Sequence, residues 1–107
     1  MNDTSRDFRT VGDSDKLQPD WVNPYYLDDL KHRVSVARVG DDQLYAFDDL
    51  YGTMPLSAGL LTGTVIMSQG DGSQWDLTDG HVVRGPATEP LRMYDVEESD
   101  GHIRIRI

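Results

Sequence analysis

The chain has 107 residues, with ten lysines and arginines against nineteen aspartates and glutamates, and it contains no cysteine. This length predicts a single domain over residues 1–107 with a modest core. The formal net charge of −9 excludes nucleic acid and anionic membrane surfaces as expected partners, because both would repel the protein. A basic protein partner stays open; the simpler alternative is that the acidic side chains only keep the protein soluble.

Compartment and membrane signals are also informative. Without cysteine there are no disulfides, and no run approaches the ~20 apolar residues of a membrane span. The amino-terminal residues lack the apolar segment of a secretory signal peptide. We therefore expect a cytoplasmic protein.

The amino-terminal third gives weak signals of secondary structure. Residues 1–7 are polar and predict a flexible tail, and residues 8–11 predict an edge strand. Asn23 before Pro24 predicts the start of a single helical turn over residues 25–30.

Three aromatic side chains interrupt this polar region. They either cover one open end of a β-barrel or belong to an apolar pocket or partner surface. These residues are Trp21, Tyr25 and Tyr26.

Strand signals dominate after residue 33. Residues 33–39 and 43–49 are rich in β-branched and aromatic side chains and flank a Gly-Asp-Asp turn, so they predict a hairpin. Residues 64–67 predict a buried strand. Short strands separated by turns every ~8–12 residues predict an all-β antiparallel sandwich or partly open barrel.

Two Asp-Gly pairs predict tight hairpins in the second half of the chain. One pair is Asp79-Gly80 and the other is Asp100-Gly101. We expect a two-residue turn at each, because such turns need positive φ at both positions. In the last strand Ile103, Ile105 and Ile107 alternate with arginines and predict a face turned to the core.

The stretch over residues 51–76, YGTMPLSAGLLTGTVIMSQGDGSQWD, carries the most specific pattern. A Leu-Ser-x-Gly turn leads into an apolar run and then a Gly-Asp-Gly loop. QLYAFDDL precedes it, and RGPATEPL at 84–91 follows. This order resembles the Rieske ferredoxins, over roughly residues 34–107. The resemblance implies a Rieske-like sandwich or partly open barrel with a smaller loop-rich subdomain, formerly cluster-binding, over 48–88.

The family's cluster ligands are missing. Rieske proteins hold a 2Fe–2S cluster with Cys-x-His and Cys-x-x-His loops, and the matching positions here are Tyr51, Thr53, Ser68 and Asp71. Fourteen residues separate Thr53 from Ser68, which is shorter than in the family. The resemblance therefore implies a Rieske fold without a cluster and without electron transfer, and we expect no cofactor.

Other metals also fit this set of side chains badly. Only the carboxylate among the four is charged at neutral pH, and SQGDGS does not match an EF-hand loop. His32, His81 and His102 lack the spacing of metal ligands. We expect no metal site.

The space left by a cluster can be filled in two ways. A structural metal contributes roughly 10 to 16 kcal/mol to folding, whereas burying one large side chain contributes about 1.5 to 3 kcal/mol. Tyr51 alone therefore cannot replace it. Either the loops surround a ligand cavity, or several side chains repack, among them Tyr51, Met54, Leu56, Met67 and Trp75.

An open cavity would make Asp71 the general acid or base, because burial would raise the pKa of its carboxyl. Tyr51 would donate a hydrogen bond to a carbonyl or enolate. The side chains expected to contact a substrate are Thr53, Met54, Ser68, Trp75 and Pro86. Each residue also has a purely structural alternative. Asp71 would make only local hydrogen bonds in its turn, and Tyr51 would only fill the former cluster site. Thr53 and Ser68 would have no chemical role, and Trp75 would belong to the core.

Two functions are compatible with these residues. The favoured one is a cofactor-independent catalyst or binder of a small apolar metabolite in biosynthesis, such as a cyclase or isomerase or a catalyst of cycloaddition. The other is a non-catalytic accessory protein that presents its acidic face and Met54 to a basic protein partner. The oligomeric state is open, since exposed strand edges permit self-association.

Overall fold

Twelve antiparallel strands build the part of the chain described by our computed structural model, residues 8–107. The tail expected at residues 1–7 lies outside this range. Six strands form a curled sheet in the order β1-β12-β11-β4-β3-β2. They are β1 (Phe8–Asp13), β2 (Trp21–Leu27), β3 (His32–Val39), β4 (Gln43–Asp48), β11 (Met93–Ser99) and β12 (His102–Arg106). In the described range no helix is long and apolar enough to cross a membrane.

Two smaller sheets lie between β4 and β11 in the chain. Their strands are β5 (Leu50–Tyr51), β6 (Met54–Pro55), β7 (Leu60–Thr62), β8 (Val65–Met67), β9 (Gln74–Asp76) and β10 (Val82–Arg84). One sheet pairs β5 with β6, and the other has the order β10-β9-β8-β7. One-turn 3-10 helices occur at Ser14–Lys16 and Leu56–Ala58. The architecture confirms the all-β, Rieske-like fold predicted from the sequence.

The strands β3 and β4 separate two hydrophobic cores. Side chains alternate between the two faces of a strand, so Val34, Val36 and Ala46 enter a first core together with Ile103 and Ile105. Side chains on the opposite face of β3 and β4 point into a second core under the small sheets. That core contains Ala37, Phe47, Leu56, Ile66, Trp75, Leu77 and Ala87.

The prediction of an edge strand near residue 8 and of the β3–β4 hairpin is confirmed. The alternation in the last strand is confirmed at Ile103 and Ile105, which are buried. Ile107 follows β12 and is partly exposed, so its expected core position is wrong.

The two Asp-Gly pairs behave differently. Asp100 and Gly101 have φ values of 53° and 78°, which confirms the two-residue turn. Around Asp79 only Gly80 has positive φ, and residues 77–81 form a wider loop in which the Gly80 N–H donates to the Asp76 carbonyl at 2.7 Å. Gly80 is held there by Leu91, whose N–H donates to the Gly80 carbonyl at 2.7 Å.

The helical turn predicted over residues 25–30 is wrong. This segment continues β2 to Leu27 and pairs with β3, and Pro24 lies opposite Ser35. Because β2 is an edge strand, the missing N–H of a proline is tolerated there. Leu27, at the end of this strand, enters the first core.

Candidate functional site

Three loops meet at one end of the small sheets, and we call them together the loop tip. The first loop, residues 51–54, is the turn between β5 and β6, and Gly52 supplies its positive φ of 62°. The second loop, residues 68–73, joins β8 to β9. The proline loop, residues 84–91, connects β10 toward β11.

The second loop closes on itself through Ser68. The Ser68 N–H donates to the Ser73 carbonyl at 2.8 Å, and the Gly72 N–H donates to the Ser68 carbonyl at 3.1 Å. The Ser68 Oγ accepts from the Gly70 N–H at 3.2 Å. Ser68 is buried, so its hydroxyl serves the loop's own backbone.

Side chains fill the space between the first and second loops. The Tyr51 hydroxyl donates to Asp71 Oδ2 at 2.9 Å, and the Tyr51 ring stands edge-on to Trp75 with centroids 4.9 Å apart. Met54 lies over Gly70, where a Cβ would be only 3.0 Å from the Met54 Cγ. Tyr51 packs against the second core, to which Trp75 belongs. These contacts confirm the repacking alternative.

The second loop is also bonded to the proline loop. The Ser73 Oγ accepts from the Ala87 N–H at 2.9 Å, and the Trp75 Nε1–H donates to the Glu89 carbonyl at 3.0 Å. Pro86 follows a cis peptide bond and is exposed at the outside of this loop. All three loops are therefore joined into one surface.

A buried carboxylate that the sequence did not reveal fixes the base of the first loop. Asp49 Oδ1 accepts from the Ser35 hydroxyl at 2.6 Å and from the Ser57 N–H at 2.8 Å. Arg33 Nε lies 2.5 Å from Asp49 Oδ2, as an ion pair without hydrogen-bond geometry. Asp49 thereby ties the Leu56–Ala58 turn to β3.

The electrostatics of Asp71 contradict the prediction of a raised pKa. Asp71 is exposed, and its Oδ1 accepts from the Ser73 N–H at 2.9 Å. The pKa of the Asp71 carboxyl is held below its usual range mainly by this hydrogen bond and further by the one from the Tyr51 hydroxyl. The alternative of local hydrogen bonding in a turn describes Asp71 correctly.

The residues at the tip do not fit a 2Fe–2S cluster. Such a cluster needs thiolate and imidazole ligands, whereas the four positions carry a phenol, two aliphatic hydroxyls and one carboxylate. Three of these side chains already make the hydrogen bonds described above. Within residues 8–107 no group of three or more His, Cys, Asp or Glu could hold a metal ion.

The remaining side chains expected to touch a substrate are scattered. Thr53 and Pro86 are exposed, Met54 is half-buried, and Trp75 is only 2% exposed. A shallow depression of about 200 Å³ reaches Tyr51 and Trp75 from the side of Pro90 and Leu91. Asp71 is not among the residues that line it.

The other aromatic group lies on the edge strand β2, outside the three loops. Trp21 is 60% and Tyr26 57% exposed, whereas Tyr25 packs against the first core. Trp21 also lines a groove of about 300 Å³ with Leu60. The group therefore divides between the core and the surface.

Comparison with known proteins identifies the family. No protein-family model matches the chain. The chain is 35% identical over 74 residues to the ferredoxin CarAc of Metapseudomonas resinovorans, an alignment that covers 67% of this chain and 68% of that protein. The chain belongs to the Rieske-type ferredoxin family. As a Rieske-type ferredoxin homologue without cysteine, it lacks the thiolates of the cluster.

Solved structures agree with this assignment. A chain in the complex of reduced oxygenase and oxidized ferredoxin of carbazole 1,9a-dioxygenase superposes with a TM-score of 0.84 at 29% identity, covering 92% of both chains. The Sphingomonas yanoikuyae B1 ferredoxin gives a TM-score of 0.84 at 21% identity, covering 92% of this chain and 97% of its own. At that identity the second match shows the fold alone.

Proposed function

We propose that this Rieske-type ferredoxin homologue is a cluster-free docking protein, which binds a protein partner through its loop tip without passing an electron. The observation that carries the proposal is the closed tip. The Tyr51–Asp71 hydrogen bond, the Met54 contact with Gly70 and the bonds to the proline loop leave a surface rather than a cavity. This reading is the second of the two functions expected from the sequence.

The physical properties of the tip suit protein recognition. A surface already held by its own hydrogen bonds loses little conformational freedom on binding, so less of the interaction energy is spent on ordering. Asp71 and Glu89 add negative charge at the tip, and Arg84 is the opposing cation. On a chain with a net charge of −9, such a tip favours a basic patch on the partner.

A relative supports the choice of partner class. The solved complex of reduced oxygenase and oxidized ferredoxin in carbazole 1,9a-dioxygenase contains a chain that superposes on 92% of ours. We infer that the docking behaviour of the relative is retained here while its redox group is not. The partner would then be a protein related to an oxygenase component.

The experiment uses the oxygenase component of carbazole 1,9a-dioxygenase as the probe, immobilised for surface plasmon resonance. We expect saturable binding that weakens as salt rises, and competition with the cluster-bearing ferredoxin. Glu89→Lys at the tip should weaken binding by about fivefold, the effect of one exposed charge. The matched control is Asp15→Lys, near the Asp100-Gly101 turn at the other end of β11, and it should not change the affinity.

Absence of binding under conditions where the cluster-bearing ferredoxin binds would overturn the docking proposal. Equal losses in the two charge variants would also contradict it, because they would indicate general electrostatics instead of a tip contact.

Binding or conversion of a small molecule at the tip is the second candidate. The depression beside Tyr51 and Trp75 supports it, but a volume of about 200 Å³ is below the roughly 300 to 1,000 Å³ of usual ligand pockets. Asp71, with a lowered pKa, is a weak base for this chemistry. Native mass spectrometry of the purified protein tests it, because a bound metabolite lost in Tyr51→Phe would favour this candidate over docking.

A further inference from the structure

A second polar cluster lies on the large sheet, outside the loop tip. His32, Asp48 and Tyr94 come from β3, β4 and β11, which are neighbours in the sheet order. Val34 pairs with Asp48 and Tyr94 pairs with Ala46. Because side chains repeat every second residue along a strand, the register puts all three members on one face.

The hydrogen bonds of this cluster assign its protons. Asp48 Oδ1 accepts from the Tyr94 hydroxyl at 2.6 Å and lies 2.6 Å from His32 Nε2. A carboxylate can only accept, so the His32 Nε2 carries a proton and Nδ1 is left for another partner. The pKa of Tyr94 is raised, mainly by burial and further by its hydrogen bond with the Asp48 carboxylate. Its hydroxyl therefore stays protonated.

A broad cavity of about 580 Å³, open to solvent over most of its boundary, lies beside this cluster. It is lined by Leu30, His32, Arg92, Tyr94, Arg106 and Ile107. The guanidinium of Arg92 lies over the Tyr94 ring, 5.6 Å from the centroid. Within residues 8–107 no salt bridge engages Arg92, whereas Arg106 is paired with Asp95. Among the described residues, Arg92 therefore has no carboxylate partner at the cavity.

The described residues that line the cavity include more cations than anions, although the chain as a whole is acidic. A neighbouring depression of about 330 Å³ shares His32 and adds Lys31 and Arg33, so four lysines and arginines line the two spaces. Asp48 is the one acidic side chain among the described residues that line them. Two of the four cations already have carboxylate partners outside the lining, Arg33 with Asp49 and Arg106 with Asp95. Lys31 and Arg92 therefore supply the positive charge available to a ligand.

We propose that this cavity binds a small amphipathic organic carboxylate. Its carboxylate group would take the fork of donors that Arg92 offers, and its hydrocarbon part would lie against Leu30, Ile107 and the Tyr94 ring. His32, which lines the cavity and is held by Asp48, would be a further hydrogen-bonding group for the bound molecule. This site adjoins the loop tip, because Arg92 and Asp48 also line the depression beside Tyr51 and Trp75. A small-molecule ligand there goes beyond the docking function.

The test is a titration of the ¹⁵N-labelled protein followed by amide and imidazole chemical shifts, with the purification tag at the amino terminus because Ile107 lines the cavity. The probes are 2-naphthoate, its uncharged methyl ester and inorganic phosphate. We expect saturable shifts centred on His32, Arg92 and Tyr94 with 2-naphthoate in the millimolar range or below. The ester and phosphate should bind at least tenfold more weakly.

Variants separate a site from general charge. Arg92→Gln should weaken binding of 2-naphthoate at least tenfold, whereas Arg84→Gln, an equal loss of charge at the tip, should leave it unchanged. Tyr94→Phe keeps the ring and the fold and should weaken binding less than Arg92→Gln. Absence of saturable shifts, equal effects of the two arginine variants, or phosphate binding as tightly as 2-naphthoate would each overturn the proposal. None of these outcomes depends on the result of the docking experiment.

Discussion

Replacing Asp49 by alanine should be among the most damaging single changes to the small sheets. The substitution leaves two donors without an acceptor, the Ser35 hydroxyl and the Ser57 N–H. Each buried unsatisfied group costs about 1 to 3 kcal/mol. Arg33 is 40% exposed, so water compensates most of its lost ion pair. We expect a loss of about 3 kcal/mol from the free energy of unfolding, a large share of the roughly 5 to 15 kcal/mol of a small domain.

Urea unfolding followed by tryptophan fluorescence measures this loss, because Trp75 is buried in the second core while Trp21 is exposed. With an m-value of about 1.5 kcal/mol/M, the midpoint should fall by about 2 M. Asp49→Asn keeps one acceptor oxygen and should lose roughly half as much stability. Asp15→Ala, an exposed control, should lose almost none. A loss below about 1 kcal/mol in Asp49→Ala would refute Asp49 as the anchor of the first loop.

Two further predictions concern metal and pH. The first uses a variant that restores the family's ligands, with the changes Tyr51→Cys, Thr53→His, Ser68→Cys and Asp71→His. Chemical reconstitution of this variant should give a 2Fe–2S cluster with two irons per chain. Absence of iron would show that the two loops no longer face each other as cluster binding requires. The hydrogen bond that the Asp79 carboxylate accepts from the His81 ring raises the pKa of His81 above its ordinary value of 6.5. The stabilisation from this pair should therefore be complete below about pH 6.5 and be lost as pH rises through the folded-state pKa. Imidazole proton shifts should titrate above pH 6.5, and Asp79→Asn should lower that midpoint.

Local turn chemistry was predictable where no other part of the protein intervenes. The Asp100-Gly101 turn has nothing within 4 Å of a Cβ placed on Gly101, and it adopts the predicted conformation. At Asp79-Gly80 the same dipeptide forms a wider loop that is bonded to the proline loop, because the Leu91 N–H donates to the Gly80 carbonyl. Leu91 lies so close that a Cβ on Gly80 would collide with its carbonyl oxygen. Contacts with a distant segment decide this turn, and the local sequence does not contain them.

The candidate sites show the same division. The loop tip could be located from the order of motifs along the chain, because its parts follow one another in a family pattern. Asp49 could not be recognised, since its partners Ser35 and Ser57 lie 14 and 8 residues away. The link between Tyr94 and Asp48 crosses 46 residues. Only the pairing of β4 with both β3 and β11 brings these side chains together.

The second core explains why the fold persists without cluster ligands. Its seven buried residues include none of the four ligand positions, and of these four only Tyr51 packs against it. The buried apolar packing therefore does not depend on cluster ligands. The core also includes Ala37 and Phe47, whose neighbours Val36 and Ala46 belong to the first core. The small sheets therefore pack against β3 and β4, two strands of the large sheet. The loss of a cluster removes a link at the outer surface, where Tyr51, Met54 and Asp71 now make the contacts between loops.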